Sequence, residues 1–235
     1  MKKTLTGIIL LMSFMLSACG TAPTTPAPEQ TTKVPATSTT VDAVSSATLA
    51  RYRENEIRDY QGVRLDPAIG PADNSISGVQ HVDLRNYRLT VDGLVGKPLD
   101  LSYDDVLNLT PVERLITLYC VTGWQATMLW RGVQLSELLD LASVDSEAST
   151  VIFHCVDNYT TSMPLATIID NKLIMAYQAN GLPIPDEMGF PFIIVAEDKL
   201  GYKWARWVIR IELSADADYK GYWESRGFDN EADID

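Results

Sequence analysis

Leu115-Ile116-Thr117-Leu118-Tyr119-Cys120-Val121-Thr122-Gly123-Trp124 is an apolar, β-prone run that delivers one cysteine into a turn. β-Branched and aromatic side chains suit a pleated strand, and Thr-Gly interrupts it. The run predicts a strand over 114–119 with the Cys120 thiol at the mouth of a sheet, where a ligand or metal reaches it without unfolding. Two readings of Cys120 stand side by side: a reactive atom, or the small buried hydrophobe that a free cysteine usually is.

The same pattern continues outward. Gln125 to Trp130 reads as a second strand and Arg131-Gly132 as a turn; Ser136, with Leu135 as staple, reads as the N-cap of a short helix over 137–142. Upstream, Tyr87, Leu89 and Val91 alternate with Arg88 and Thr90 until Asp92-Gly93, and Ser102 with Asp105 makes a capping box for a helix that Pro111 closes off. Downstream, Val151–Val156 is an apolar strand whose His154 and Cys155 face opposite sides, so they do not share a metal and read as structural. A polar turn over 157–162, a helix from Pro164, a strand Leu173–Tyr177 ended by Asn180-Gly181 and a strand Phe192–Ala196 follow. In the last strand Ala205, Trp207, Ile209 and Ile211 are expected on one face and Trp204, Arg206, Val208 and Arg210 on the other. Strands outnumber helices and do not alternate regularly with them. The class is therefore α+β, a mixed β-sheet in a single domain.

The 235 residues carry a formal charge of −12, which disfavours nucleic acid as a partner because phosphate binding needs a clustered basic face. Residues 1–18 combine Lys2 and Lys3, a short apolar run and Leu16-Ser17-Ala18 before Cys19, the features of an export signal rather than a membrane span. Leu-Ser-Ala-Cys resembles the bacterial lipobox, which implies a signal peptide over 1–18, lipidation of Cys19 and a lipoprotein held on the outer side of the membrane, in the periplasm or its equivalent. Residues 19–46 are rich in Thr and Pro and read as a tether, 47–80 as an arm with a weak helical stripe through Leu49, Tyr52 and Glu56, 81–228 as the folded domain, and 229–235 as a solvated acidic tail. Of three cysteines, Cys120 and Cys155 then remain, and a disulfide between them is the rival to a functional Cys120. His81 reads as a surface or packing residue.

Lys199, Lys203, Arg206 and Arg210 crowd one stretch of this acidic chain, beside Gly201, and form its best candidate for holding an anionic group. The order and spacing of several pieces carry a resemblance: Cys120-Val121-Thr122-Gly123-Trp124, Trp130-Arg131-Gly132-Val133, Asp157-Asn158-Tyr159, Gly189-Phe190-Pro191, Gly201-Tyr202-Lys203 with Arg206-Trp207, and Gly221-Tyr222-Trp223-Glu224. Over roughly residues 80–228 the chain resembles the sulfite oxidase family of molybdopterin oxidoreductases, in particular its small members related to the periplasmic protein-methionine-sulfoxide reductase catalytic subunit.

That resemblance implies a molybdenum ion ligated by Cys120 and by molybdopterin, which the Cys120 turn with Gly123 and Trp124, together with Gly201, Lys203 and Arg206, would bind. Soft sulfur ligands suit such a metal. It implies Tyr159 as a hydrogen-bond donor to a reacting oxygen, although a packing role fits its pattern equally. The implied reaction is oxygen-atom transfer on a small-molecule substrate, a sulfoxide or N-oxide, with a membrane haem protein or the quinone pool as electron partner. Three departures stand out: Ile193 where relatives carry an Arg, Gly123-Trp124 where sulfite oxidisers carry Asn and Arg, and Lys2-Lys3 in place of a twin arginine. Ile193 and the missing twin arginine support an alternative, a cofactor-free binding lipoprotein of the same fold, and Gly123-Trp124 places sulfite dehydrogenation third.

Overall fold

The computed structural model describes residues 46–70 and 73–234. The signal peptide, Cys19 and the tether up to residue 45 lie outside the described residues, as does Asp235. Helix α1 (Ser46–Asn55) opens the arm and buries Tyr52, whose hydroxyl donates to the Pro183 carbonyl at 2.7 Å. A small antiparallel pair follows, β1 (Asp59–Tyr60) and β2 (Val63–Arg64). The arm is tied to the body at Asn180, whose carbonyl accepts from Ile57 N and whose side chain bonds Asp66 O and Leu129 N.

The body holds β3 (Leu89–Gly93), β4 (Leu99–Leu101), α2 (Tyr103–Leu107), β5 (Pro111–Tyr119), β6 (Gln125–Gln134), α3 (Leu135–Ala142), β7 (Thr150–Cys155), β8 (Thr160–Pro164), α4 (Leu165–Asp170), β9 (Ile174–Ala179), β10 (Leu182–Pro183), β11 (Ile193–Val195) and β12 (Val208–Ser214). They build two sheets. One runs β10-β9-β6-β5, with β11 also on β9; the other runs β4-β3-β12-β7-β8, in which only β3 and β12 pair parallel. Long apolar strands such as β7 and β9 are buried on both faces because helices and the opposing sheet cover them. The core includes Trp130, Phe153, Phe192 and Ile194. No helix among the described residues is long and apolar enough to cross a membrane.

The expected strand before Cys120 is present, and Ser102 and Asp105 form the expected reciprocal cap of α2. Four expectations are corrected. Arg131-Gly132 is not a turn: β6 runs through it with a register shift against β9, and Gly132 is the site of close backbone approach. Helix α3 starts at Leu135, capped by Gln134 without a side-chain bond, so Ser136 lies inside it. Residues 160–162 belong to β8, because Thr161 and Ser162 bury their hydroxyls against Glu224 and the Tyr219 carbonyl. The last strand begins at Val208: a 3-10 turn over Gly201–Lys203 and a left-handed Trp207 (φ 55°) break the alternation before it.

Candidate functional site

Strand β5 pairs with β6 out to Tyr119 and Gln125, and the residues between them close the hairpin. Cys120 N donates to Trp124 O and Gly123 N to Cys120 O, both at 2.9 Å, which fixes the turn and sets Cys120 at its head. The thiol is half-exposed and free, while Cys155 is a buried free thiol. Burial pushes the Cys155 thiol well up from its ordinary range. Two polar groups meet the Cys120 sulfur: Asn74 Nδ2 donates to Sγ at 3.2 Å, and Thr122 Oγ1 lies 3.1 Å from it.

Cys120 faces a cavity of about 370 Å³. The arm supplies one wall through Asn74, Ser75 and Ile76; Trp204, Trp207, Trp223 and Phe228 supply aromatic surface. Of the residues expected from the sequence, Cys120, Trp124, Tyr159, Gly201 and Arg206 all line this cavity. Gly123 sits in the turn at φ 90° without lining it. Gly201 packs beneath the Cys120 turn, where a Cβ would lie 3.3 Å from Tyr119 O.

Arg206 lies within the cavity wall, its Nη1 donating to Glu187 O at 2.9 Å and meeting Asp73 Oδ1 at 3.4 Å. Burial pulls its pKa down against the pull of Asp73 and Asp157 in the other direction. Asp157 also lines the cavity and accepts from Tyr159 N at 3.1 Å; burial pushes its carboxyl up, with Arg206 opposing. The Tyr159 hydroxyl donates to Tyr202 O, and burial raises its pKa strongly.

The basic cluster does not stay together. Lys203 Nζ is wholly buried and bonds Glu224 Oε1 at 2.6 Å, Ser162 O at 2.9 Å and Asn230 Oδ1 at 3.1 Å, away from the cavity lining. Lys199 pairs with Asp233, and Arg210 with Asp92 and Glu212 on the sheet surface, where His154 also bonds Glu212. Arg206 is thus the one of the four cations that lines the cavity.

Among the described residues no group of three or more His, Cys, Asp or Glu side chains is placed to hold a metal ion, so a metal at Cys120 needs ligands from a cofactor. The residues present fit such a group. The Cys120 thiol, the Trp124 ring, Arg206 and several aromatic faces line the same space, and the buried Trp124 Nε1 donor has no partner among the described residues.

A family model described as "Oxidoreductase molybdopterin binding domain" matches residues 76–223. The chain belongs to that family. It is 33% identical over 147 residues to the uncharacterized oxidoreductase YuiH of Bacillus subtilis, covering 62% of this chain and 74% of that one. It is 32% identical over 150 residues to a putative protein-methionine-sulfoxide reductase subunit, YedZ1, of Azospira oryzae, covering 64% of this chain and 57% of that one. The sulfane dehydrogenase SoxCD of Paracoccus pantotrophus shares the fold, with a TM-score of 0.59 at 23% identity over 83% of this chain and 61% of that chain. The family cofactor is molybdopterin with its molybdenum.

Sequence reasoning did not place the arm residues Asp73 and Asn74 at the site, since a loop without periodicity carries no signal of what it packs on. Asp157 was visible only as part of the Asp-Asn-Tyr turn, whose side-chain direction depends on the β7–β8 hairpin.

Proposed function

We propose that this chain is a membrane-tethered, extracytoplasmic, molybdopterin-dependent oxidoreductase that removes the oxygen atom from a small sulfoxide or N-oxide. The observation that carries it is the half-exposed Cys120 sulfur facing an aromatic-walled cavity that Arg206 also lines. When bound, the cofactor supplies two-electron chemistry and the protein supplies position and electrostatics. Cys120 is the protein thiolate for the metal, oriented by Asn74 and Thr122. Arg206 and the Trp124 ring, which line the cavity, would hold the pterin, with Gly123 giving the Cys120 turn its left-handed corner and Gly201 packed beneath it. Tyr159 lines the cavity and orients the loop at Tyr202 through its hydroxyl, so its phenol would have to release Tyr202 O before donating to a substrate oxygen.

The sulfoxide reaction balances as sulfoxide plus two protons and two electrons giving thioether and water. The electrons come from a membrane haem protein or a quinone-linked partner. The description of the Azospira oryzae relative as a putative protein-methionine-sulfoxide reductase subunit supports a sulfoxide, and Gly123-Trp124, where sulfite oxidisers carry Asn and Arg, disfavours sulfite. The lipobox at Cys19 supports the tether.

The test is molybdenum and pterin per chain in protein made with its own signal, beside Cys120→Ser. Near-stoichiometric metal with sulfoxide-dependent oxidation of a reduced dye, both lost in the variant, is expected. Folded wild-type protein with neither metal nor pterin would overturn the reading in favour of a cofactor-free binding lipoprotein.

A further inference from the structure

The C-terminal residues lie beyond the 76–223 match, and their composition alone reads as a solvated acidic tail. The structure docks them instead. Ala232 is 1% exposed, its carbonyl accepts from Leu200 N at 2.8 Å, and Ile234 N donates to Asp198 O at 3.2 Å. Asp233 pairs antiparallel with Lys199, and its carboxylate meets Lys199 Nζ at 2.5 Å, with Glu231 Oε2 at 3.9 Å. The Lys199 side chain is only 6% exposed, whereas those of Glu231 and Asp233 are 62% and 68% exposed. A buried ammonium is thus neutralised by two carboxylates on a segment that has few buried contacts of its own.

Upstream, the same segment carries an aromatic onto the cavity. Phe228 packs on Tyr202 and Trp223 with ring centroids 5.4 and 5.1 Å away, and both Phe228 and Trp223 line the cavity that Cys120 faces. Tyr202 OH donates to Asp229 O at 2.8 Å, and Lys203 Nζ to Asn230 Oδ1 at 3.1 Å. The segment leaves the body at Gly227, whose φ of 97° caps the preceding 3-10 turn: Gly227 N donates to Glu224 O at 3.1 Å and Phe228 N to Trp223 O at 3.2 Å, and no side chain packs within 4 Å of a built Cβ. Leu200, the partner of Ala232, also bridges Tyr119, so the docked segment, the 198–200 stretch and the base of the Cys120 turn lie side by side.

We propose that residues 228–234 are a hinged strap that closes this cavity over Cys120, with Lys199 as its latch and Gly227 as its hinge. Closed, the strap lays Phe228 on the rim and supports the shelf beneath Cys120. Open, it widens the entrance and bares the Lys199 ammonium, which gives a bulky anionic ligand such as a pterin phosphate a passage that the closed form denies. Past the side-chain bonds at Asp229 and Asn230 the segment buries only Ala232 and is otherwise held by two backbone bonds and the Lys199 ion pairs, so it opens locally at a smaller free-energy cost than the body.

The experiment measures access to Cys120 in the full chain, made without cofactor in a Cys19→Ser background, by comparing a small alkylating reagent with a polymer-bearing maleimide; peptide mass mapping separates Cys120 from buried Cys155. Asp233→Asn with Glu231→Gln is expected to raise the bulky-to-small rate ratio about fivefold, the factor that one such ion pair is worth. Added salt raises the ratio in wild type and not in the variant, because the screened pair is then already gone. A chain ending at Gly227 shows a larger increase still. Amide exchange of 228–234 reports docking directly. An equal ratio in wild type, charge variant and truncated chain would overturn the proposal, as would tail amides that exchange freely in wild type or stay equally protected in the charge variant.

Discussion

Asp157 and Lys203 show how burial decides the state of a single group. The sequence offers Lys203 as a cation for an anionic cofactor, yet its ammonium is wholly buried, and desolvation lowers its pKa while Glu224 holds the charge in place. Tyrosine, lysine and tryptophan in a row say nothing about which way the lysine turns; the buried carboxylate that claims it comes from the Gly221-Tyr222-Trp223-Glu224 segment, distant in sequence. Asp157 gives a testable case. Its folded-state pKa is raised above the ordinary 3.8 by burial. The folded state therefore holds the proton more tightly than the unfolded chain, a contribution fully present below pH 3.8 and lost as pH rises through the folded value. Asp157→Asn keeps the acceptor for Tyr159 N and removes the titration. In cofactor-free protein the variant is expected to gain stability relative to wild type as pH rises across that window and then hold a constant difference, measured by denaturant unfolding at several pH values. A difference that stays flat, or falls with pH, would refute the assignment.

At the scale of elements, strands marked by an apolar, β-branched run or helices with a strong cap were legible: β7 and the Ser102–Asp105 cap of α2 lie within a residue of where local sequence puts them, and β5 ends as expected at Tyr119 although it begins earlier, at Pro111. The misses share a cause, since each depends on a distant partner. Thr161 and Ser162 read as turn because hydroxyls favour turns, but partners from the C-terminal region satisfy them inside a strand. Gly132 read as turn for a similar reason, yet it is needed where β6 meets β9: a Cβ there would lie 2.1 Å from Met175 O and 2.6 Å from the Ala176 Cα. Neither atom belongs to a flexible side chain, so the strands must part or shift. Gly132→Ala is expected to cost about 3–5 kcal/mol, in the range of severe backbone and overpacking lesions. Thermal and denaturant melts check this, and a loss below about 1 kcal/mol would mean that the bulge at Arg131–Gly132 relaxes easily. Of the candidate site, the Cys120 turn was the most legible part because its geometry is local, while the four cations were the least because a strand period was assumed through Trp207, which breaks it.

The molecule as a whole joins a proposed lipid anchor at Cys19 to a folded body whose cavity would exchange electrons with a membrane partner. Anchoring matters to rate because two tethered partners meet at an effective concentration set by the link rather than by bulk protein. Several acyl chains on one cysteine hold far more firmly than a single chain, so the anchored state is stable and its loss is easy to read. In Cys19→Ser the protein is expected to move from the membrane fraction to the soluble fraction and to lose the mass of the acyl groups. Oxidation of a reduced soluble dye by a sulfoxide stays unchanged, since Cys19 is remote in sequence from every residue that lines the cavity. Sulfoxide reduction driven by membranes carrying their own quinol falls by on the order of tenfold or more, the loss expected when an intramolecular encounter becomes bimolecular. Membrane-driven activity that survives release would show that the electron partner is diffusible, and a wild-type protein found soluble with an unmodified Cys19 would remove the anchor from the proposal while leaving the cavity chemistry to be judged on metal content alone.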